Sequence, residues 1–181
     1  KMEVSRNDPP KNEFLSQVRK LANIHECILI FDECTSGFRE TFGGLHQKYN
    51  VEPDLALYSK AIGNGYAISA LVGKRNIMEA AQSTFISSTF WTERIGPTAA
   101  LATLKEMQNI KSWEYITKMG LYIRKRWQEL ADNYDIDISI WGIPALSGFT
   151  FNHSNNNAYK TLITQEMMNK NILAANSIYV S

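Results

Sequence analysis

Only two cysteines occur in 181 residues, and Cys27 and Cys34 lie in or beside an apolar run. Two are too few for a disulfide framework or a zinc cluster, and a reducing compartment is the expectation. An excess of one charge is missing as well. Nineteen Lys and Arg stand against eighteen Asp and Glu, a net charge of +1, which removes the bulk electrostatic case for nucleic acid or an anionic membrane surface as partner. No apolar stretch approaches the roughly 20 residues needed to span a bilayer. Lys1 to Arg6 lack the apolar region of a signal peptide, so the expected location is the cytoplasm. His25, His46 and His153 have no second ligand at a metal spacing; no metal is expected, and the three read as solvated surface histidines. Gly63-Asn64-Gly65 is not a G-x-G-x-x-G fingerprint and no P-loop sequence occurs, which weighs against a nucleotide-binding protein. There is no internal repeat, and the glycosylation-type triplet Asn152-His153-Ser154 stands without any other sign of secretion.

What is present is a hydrophobic fraction of 44%, enough for a buried core in one domain plus part of another. The chain starts at Lys1 rather than Met and stops at Ser181 directly after an apolar segment, so both ends read as cut. Past Pro9-Pro10, Phe14, Leu15, Val18, Leu21 and Ala22 recur at helical spacing. Cys27 to Phe31 is a continuous apolar run, the pattern of a strand buried on both faces of a parallel sheet, and it ends in Asp32-Glu33. Asp54 to Tyr58 ends likewise at Ser59-Lys60, and Ala70 to Val72 is a third strand candidate. Ligand sites in open α/β sheets form beyond the carboxyl ends of strands, which is where Asp32 and Lys60 fall. A helix is expected from Pro97 through Met107. Trp113, Ile116, Met119, Ile123, Trp127 and Leu130 stripe a longer one, whose tryptophans read as core. Beyond Asp132 the pattern changes to short strands, 137–141 and 146–151, and a helix over 158–170: a second, incomplete α+β domain.

An acidic pair after a strand, or a lone lysine after another, is equally well a turn or a cap. The combination Phe31-Asp32-Glu33-Cys34-Thr35-Ser36-Gly37-Phe38-Arg39, then Ser59-Lys60-Ala61-Ile62-Gly63-Asn64-Gly65-Tyr66, then Ser87-Ser88-Thr89-Phe90 is more specific. In this order and spacing it resembles the class III aminotransferases that depend on pyridoxal phosphate (PLP), including their glutamate-1-semialdehyde aminomutase-like branch. The likeness is close over about residues 10 to 110 and looser beyond.

The resemblance implies an α/β architecture, fold type I of the PLP-dependent transferases. Residues 1–110 would be part of the large, mostly parallel sheet domain, and residues 111–181 a linking helix and part of the smaller α+β C-terminal domain. It implies an aminotransferase that takes PLP as cofactor, or an aminomutase of the same fold. Lys60 matches the lysine that forms a Schiff base with the cofactor aldehyde and later moves protons at the substrate α-carbon. Asp32 matches the carboxylate that keeps the pyridine nitrogen protonated. Cys34 stands where the family commonly has Val against a face of the cofactor ring, and is expected to pack there rather than act as a nucleophile. Thr89 matches a threonine that bonds the cofactor phosphate across the subunit interface, which implies a homodimer. Trp91 to Arg94 would then line that interface. Gly63-Asn64-Gly65 reads either as backbone kept free of bulk near the cofactor or as a plain turn. The implied partners are a small-molecule amino donor and a carbonyl acceptor, with no nucleic acid and no membrane.

Thr35 departs from the family pattern, where many aminotransferases carry a Gln near the cofactor's ring oxygen, and this leaves the substrate open. The family's phosphate-binding turn and the aromatic residue that stacks on the cofactor precede the segment matching Lys1, and its C-terminal domain continues past Ser181. A non-catalytic, truncated fragment is therefore the rival reading from outside enzymology.

Overall fold

The chain begins, in the computed structural model, with an exposed Pro9 and a half-buried Pro10; the model describes residues 9–86, 89, 90 and 92–181. The segment 1–8, Ser87, Ser88 and Trp91 lie outside the described residues, and with them the readings made for Lys1 to Arg6, for the first half of Ser87 to Phe90 and for Trp91. The described residues form two compact units, divided between Trp113 and Glu114.

In the unit 9–113, helix α1 (Phe14–Ile24) forms where the helical spacing places it. It half-buries Leu15, Val18 and Ala22 but leaves Phe14, Leu21 and Ile24 exposed. Strands β1 (Ile30–Asp32), β2 (Leu55–Tyr58) and β3 (Ala70–Gly73) make one sheet in that order. β1 runs parallel to β2, pairing Ile30 with Leu55 and Asp32 with Leu57, while β3 runs antiparallel to β2. The expected strand from Cys27 buried on both faces is corrected: only three residues pair, and Ile28 and Ile30 are exposed. The cause is position. β1 is an edge strand paired on one side, and among the described residues no helix covers both of its faces, so an apolar run does not suffice for burial.

β2 shows the period of two that a sheet with one covered face requires: Ala56 and Tyr58 are buried, Leu55 and Leu57 only half-buried. Helix α2 (Arg75–Met78) is a single turn after β3. Helix α3 (Ile95–Ile110) starts two residues before Pro97. Its Ala100, Leu104 and Met107, one face at spacings of four and three, close on Ala56, Tyr58, Ile62 and Phe38 to make the core of this unit. The rings of Phe38 and Tyr58 lie 5.2 Å apart and those of Phe42 and Trp113 also 5.2 Å, favourable aromatic distances. One polar hub ties the unit from below. The buried carboxylate of Asp54 accepts from the Leu29 N–H (2.8 Å), Arg19 of α1 (2.7 Å) and Lys74 (2.6 Å). The Leu29 N–H first, then the Lys74 ammonium and Arg19, hold its carboxyl well below the usual carboxylate range, outweighing burial.

Helix α4 (Ser112–Asn133) carries the tryptophan stripe and contains the unit boundary in its first turn. In the unit 114–181, β4 (Ile138–Ile143) and β5 (Leu146–Phe151) pair as an antiparallel hairpin around Pro144-Ala145. α4 approaches that turn so closely that a Cβ on Gly120 would sit 2.0 Å from the Pro144 carbonyl oxygen, which explains a glycine inside a helix. Arg124 of α4 donates to the buried Ser147 hydroxyl (2.6 Å) and to the carbonyls of Trp141 (3.2 Å) and Gly142. Trp127 packs edge-on against Phe149 at 5.0 Å. Helix α5 (Asn156–Asn169) packs on β5, with Tyr159 against Phe151. Among the described residues no helix is long and apolar enough to cross a membrane.

Candidate active site

Asp32 ends β1, and Lys60 follows β2 by two residues. Because the two strands are parallel and in register, both residues leave the sheet at the same edge, the carboxyl end. Each is exposed there. Lys60 has a backbone φ of 48°, the left-handed region, which costs a residue with a Cβ on the order of 1 kcal/mol. The strain is held by the turn it opens: the N–H groups of Gly63 and Asn64 both donate to the Lys60 carbonyl at 3.1 Å. The expected consequence is that Lys60→Gly is more stable than Lys60→Ala by about 1 kcal/mol, since Gly adopts this φ without a Cβ penalty. Thermal melts of the two variants check this, and equal midpoints would contradict it.

The turn after β1 supplies the remaining groups. The Cys34 N–H donates to Asp32 Oδ1 at 3.0 Å. That bond, then one from the Cys34 thiol, holds the Asp32 carboxyl below its ordinary range, with the Lys60 charge adding to them and partial burial opposing. The same contacts act in the opposite sense on Cys34. Burial pushes its thiol up, and the bond to Asp32 and the Asp32 charge push it further. The raised thiol favours its protonated form, the one that can donate to Asp32. Thr35 Oγ1 accepts a hydrogen bond from Lys60 Nζ at 2.5 Å. Asp32, Cys34, Thr35 and Lys60 form one group. Thr89 is exposed in a turn and makes no hydrogen bond to that group among the described residues. An open depression of about 630 Å³ beside Lys60 is lined by Ser59, Gly65, Tyr66, Ala67, Ile68 and Ser69 together with Lys60; Asp32 is not in its wall.

Beneath the turn lies a buried polar cluster that residue patterns did not reveal. Glu33 Oε1 accepts from the His46 N–H at 3.0 Å and lies 3.2 Å from His46 Nδ1, and Glu33 Oε2 accepts from the Ser36 hydroxyl. Glu33, Ser36 and His46 are all buried. The reading of His46 as a solvated surface histidine is therefore corrected; a partner thirteen residues away meets its ring, and Gly44 leaves the ring room, since a Cβ there would lie 2.2 Å from His46 Nδ1. His25 and His153 are exposed. The one local hint is that His46 directly follows a run of apolar and small residues, Phe42 to Leu45.

Chemically the arrangement offers an exposed primary amine beside an ionised carboxylate at the edge of a sheet, next to open space. It suits capture of a carbonyl compound by the amine, with a negative charge available to pair with a cationic group.

The family model for class-III aminotransferases matches residues 7–177. The chain is 36% identical over 157 residues to a 3-aminobutyryl-CoA aminotransferase of Cloacimonas acidaminovorans, covering 86% of this chain and 38% of the relative. It is 32% identical over 156 residues to glutamate-1-semialdehyde 2,1-aminomutase 2 of Lachnoclostridium phytofermentans, covering 84% and 37%. The FumI protein of a Sphingopyxis species superposes with a TM-score of 0.90 at 20% identity, over all of this chain and 44% of that one. The chain thus spans about two fifths of the length of these proteins and has part of the fold-type I architecture. With its family model matched over nearly its whole length, the chain belongs to the class-III aminotransferase family.

Proposed function

We propose that this chain carries the reactive lysine and the ring-pairing aspartate of a PLP-dependent aminotransferase. The observation that carries the reading is the placement of Lys60 and Asp32 at one edge of the parallel pair, close enough for their charges to interact. The residues present suit the cofactor's chemistry. Lys60 is an exposed amine for an aldehyde, Asp32 an anion for a protonated pyridine nitrogen, and the depression beside Lys60 has the volume of a small-molecule site. When bound, pyridoxal phosphate supplies an aldehyde and an electron-withdrawing ring that takes up the charge left at the substrate's α-carbon.

The chain's own residues do the rest. Lys60 Nζ would hold the cofactor through its aldehyde and, when free, would move the proton at the substrate's α-carbon. Asp32, held in its anionic form by Cys34, keeps a proton on the ring nitrogen. Cys34 packs beside the ring and fixes Asp32. Thr89 binds the phosphate of the cofactor in a neighbouring subunit, so the working form is a homodimer. Residues 1–110 belong to the large cofactor-binding domain, and residues 111–181 to the linking helix and the C-terminal domain. The substrates are a small amino donor and a carbonyl acceptor.

A second reading, an aminomutase, has its own support: relatives of that name match at 28–39% identity. It differs in returning the amine to the same carbon skeleton. The test is amino exchange on PLP-loaded protein with and without a keto acid or aldehyde acceptor. Product that forms only with an acceptor supports the transferase; isomerised product without one supports the mutase. No product in either case favours the non-catalytic fragment.

A further inference from the structure

A lysine ε-amine ends a flexible four-carbon stem, so an exposed one samples many positions unless something holds it. Backbone geometry fixes only the root of this one: Lys60 φ is 48°, and Gly63 and Asn64 clamp its carbonyl. The tip is held by the 2.5 Å contact to Thr35 Oγ1, from a residue 25 positions earlier in the chain. That hydroxyl is itself in a fixed place. Thr35 sits in a turn whose Gly37 N–H donates to the Glu33 carbonyl at 2.8 Å and whose Glu33 N–H donates to Leu57 of β2 at 2.9 Å. From below, the buried Glu33 carboxylate takes bonds from Ser36 and His46. Gly37 itself packs closely, since a Cβ there would lie 2.7 Å from the Tyr58 ring and 2.8 Å from the Glu33 carbonyl oxygen.

We infer that Thr35 is a positioning residue for the reaction, its hydroxyl holding the Lys60 amine on the Asp32 side of the site while the buried Glu33, Ser36 and His46 cluster keeps that hydroxyl in place. The inference rests on the reading of Lys60 as the cofactor's anchor. Threonine does here with a short, β-branched, rigid side chain what a longer and more flexible residue does less firmly. The contact is made by the free amine, so it acts before the cofactor is captured and again whenever the amine is released during turnover.

Thr35→Val keeps the shape and removes the hydroxyl; Thr35→Ser keeps the hydroxyl. Two rates are measured on the folded proteins, with melting midpoints recorded. The first is capture of pyridoxal phosphate at Lys60, trapped with borohydride and located by peptide mass. The second is acetylation of Lys60 by acetic anhydride without cofactor, which needs a free amine but no orientation. Thr35→Val is expected to slow capture roughly 5- to 10-fold and to speed acetylation roughly 2-fold or more, the loss of one solvent-exposed hydrogen bond. Thr35→Ser restores both rates to near those of the parent. The inference is overturned if Thr35→Val captures as fast as the parent, if Thr35→Ser fails as Thr35→Val does, or if both rates fall together. Should the parent itself capture nothing, the anchor reading fails, and acetylation alone then decides: equal labelling of parent and Thr35→Val overturns the tether.

Discussion

Asp54→Asn lowers the unfolding free energy by about 2–3 kcal/mol in urea titrations, the largest stability loss expected of a single polar substitution in residues 9–113. Asp54 is buried and its carboxylate bonds the Leu29 N–H, Arg19 and Lys74. Replacing one oxygen by an amide sets a donor either against Lys74, at Oδ1, or against the Leu29 N–H and Arg19, at Oδ2, and removes the charge that both cations pair with. The loss falls below the range of about 3–5 kcal/mol usual for breaking a buried pair, because Lys74 is half exposed. The same group gives the pH dependence its sign. Its folded carboxyl lies below the ordinary value of about 3.9, so the stability it adds is fully present above that value and is lost as pH falls through and below it. Parent protein should therefore lose stability more steeply than Asp54→Asn on acidification from about pH 5 downward. Parallel curves for the two proteins would show that the hub does not set acid stability.

Asp32→Asn reduces amino exchange by PLP-loaded protein on the order of 10²–10³-fold while leaving capture of the cofactor at Lys60 intact. The amide keeps the shape and can still accept from the Cys34 N–H, but it has no charge to hold a proton on a ring nitrogen. Stopped-flow rates of a single amino-transfer step, measured with the same donor, separate this from a binding defect. A loss of less than about fivefold would mean that the Asp32 charge is not used in the chemistry, whatever its position.

The contrast between what residue order revealed and what it did not follows the range of the interactions. Strand β5 lies over Leu146 to Phe151, where the alternation put it, and β2 and β3 fall within a residue of their expected limits. The placement of Lys60 and Asp32 at strand ends was legible because a strand end is a local feature. The apolar run before Asp32 stays largely exposed in this chain, which spans about two fifths of its relatives' length, because β1 is paired on one side only among the described residues. Tertiary partners were the blind spot. Glu33 meets His46 thirteen residues on, Arg19 meets Asp54 at a separation of 35, and Thr35 meets Lys60 at 25. No periodicity encodes such pairs. The left-handed backbone of Lys60 was equally hidden, because a lysine does not advertise a positive φ as a glycine does.

The central claim is that Lys60 captures the cofactor. The most direct measurement is borohydride reduction of the protein equilibrated with pyridoxal phosphate, followed by peptide mapping of the parent and of Lys60→Ala. The account predicts one stoichiometric adduct on Lys60 in the parent and none in Lys60→Ala, even though eleven other lysines remain. An adduct spread over several lysines, or one that persists in Lys60→Ala, would contradict it.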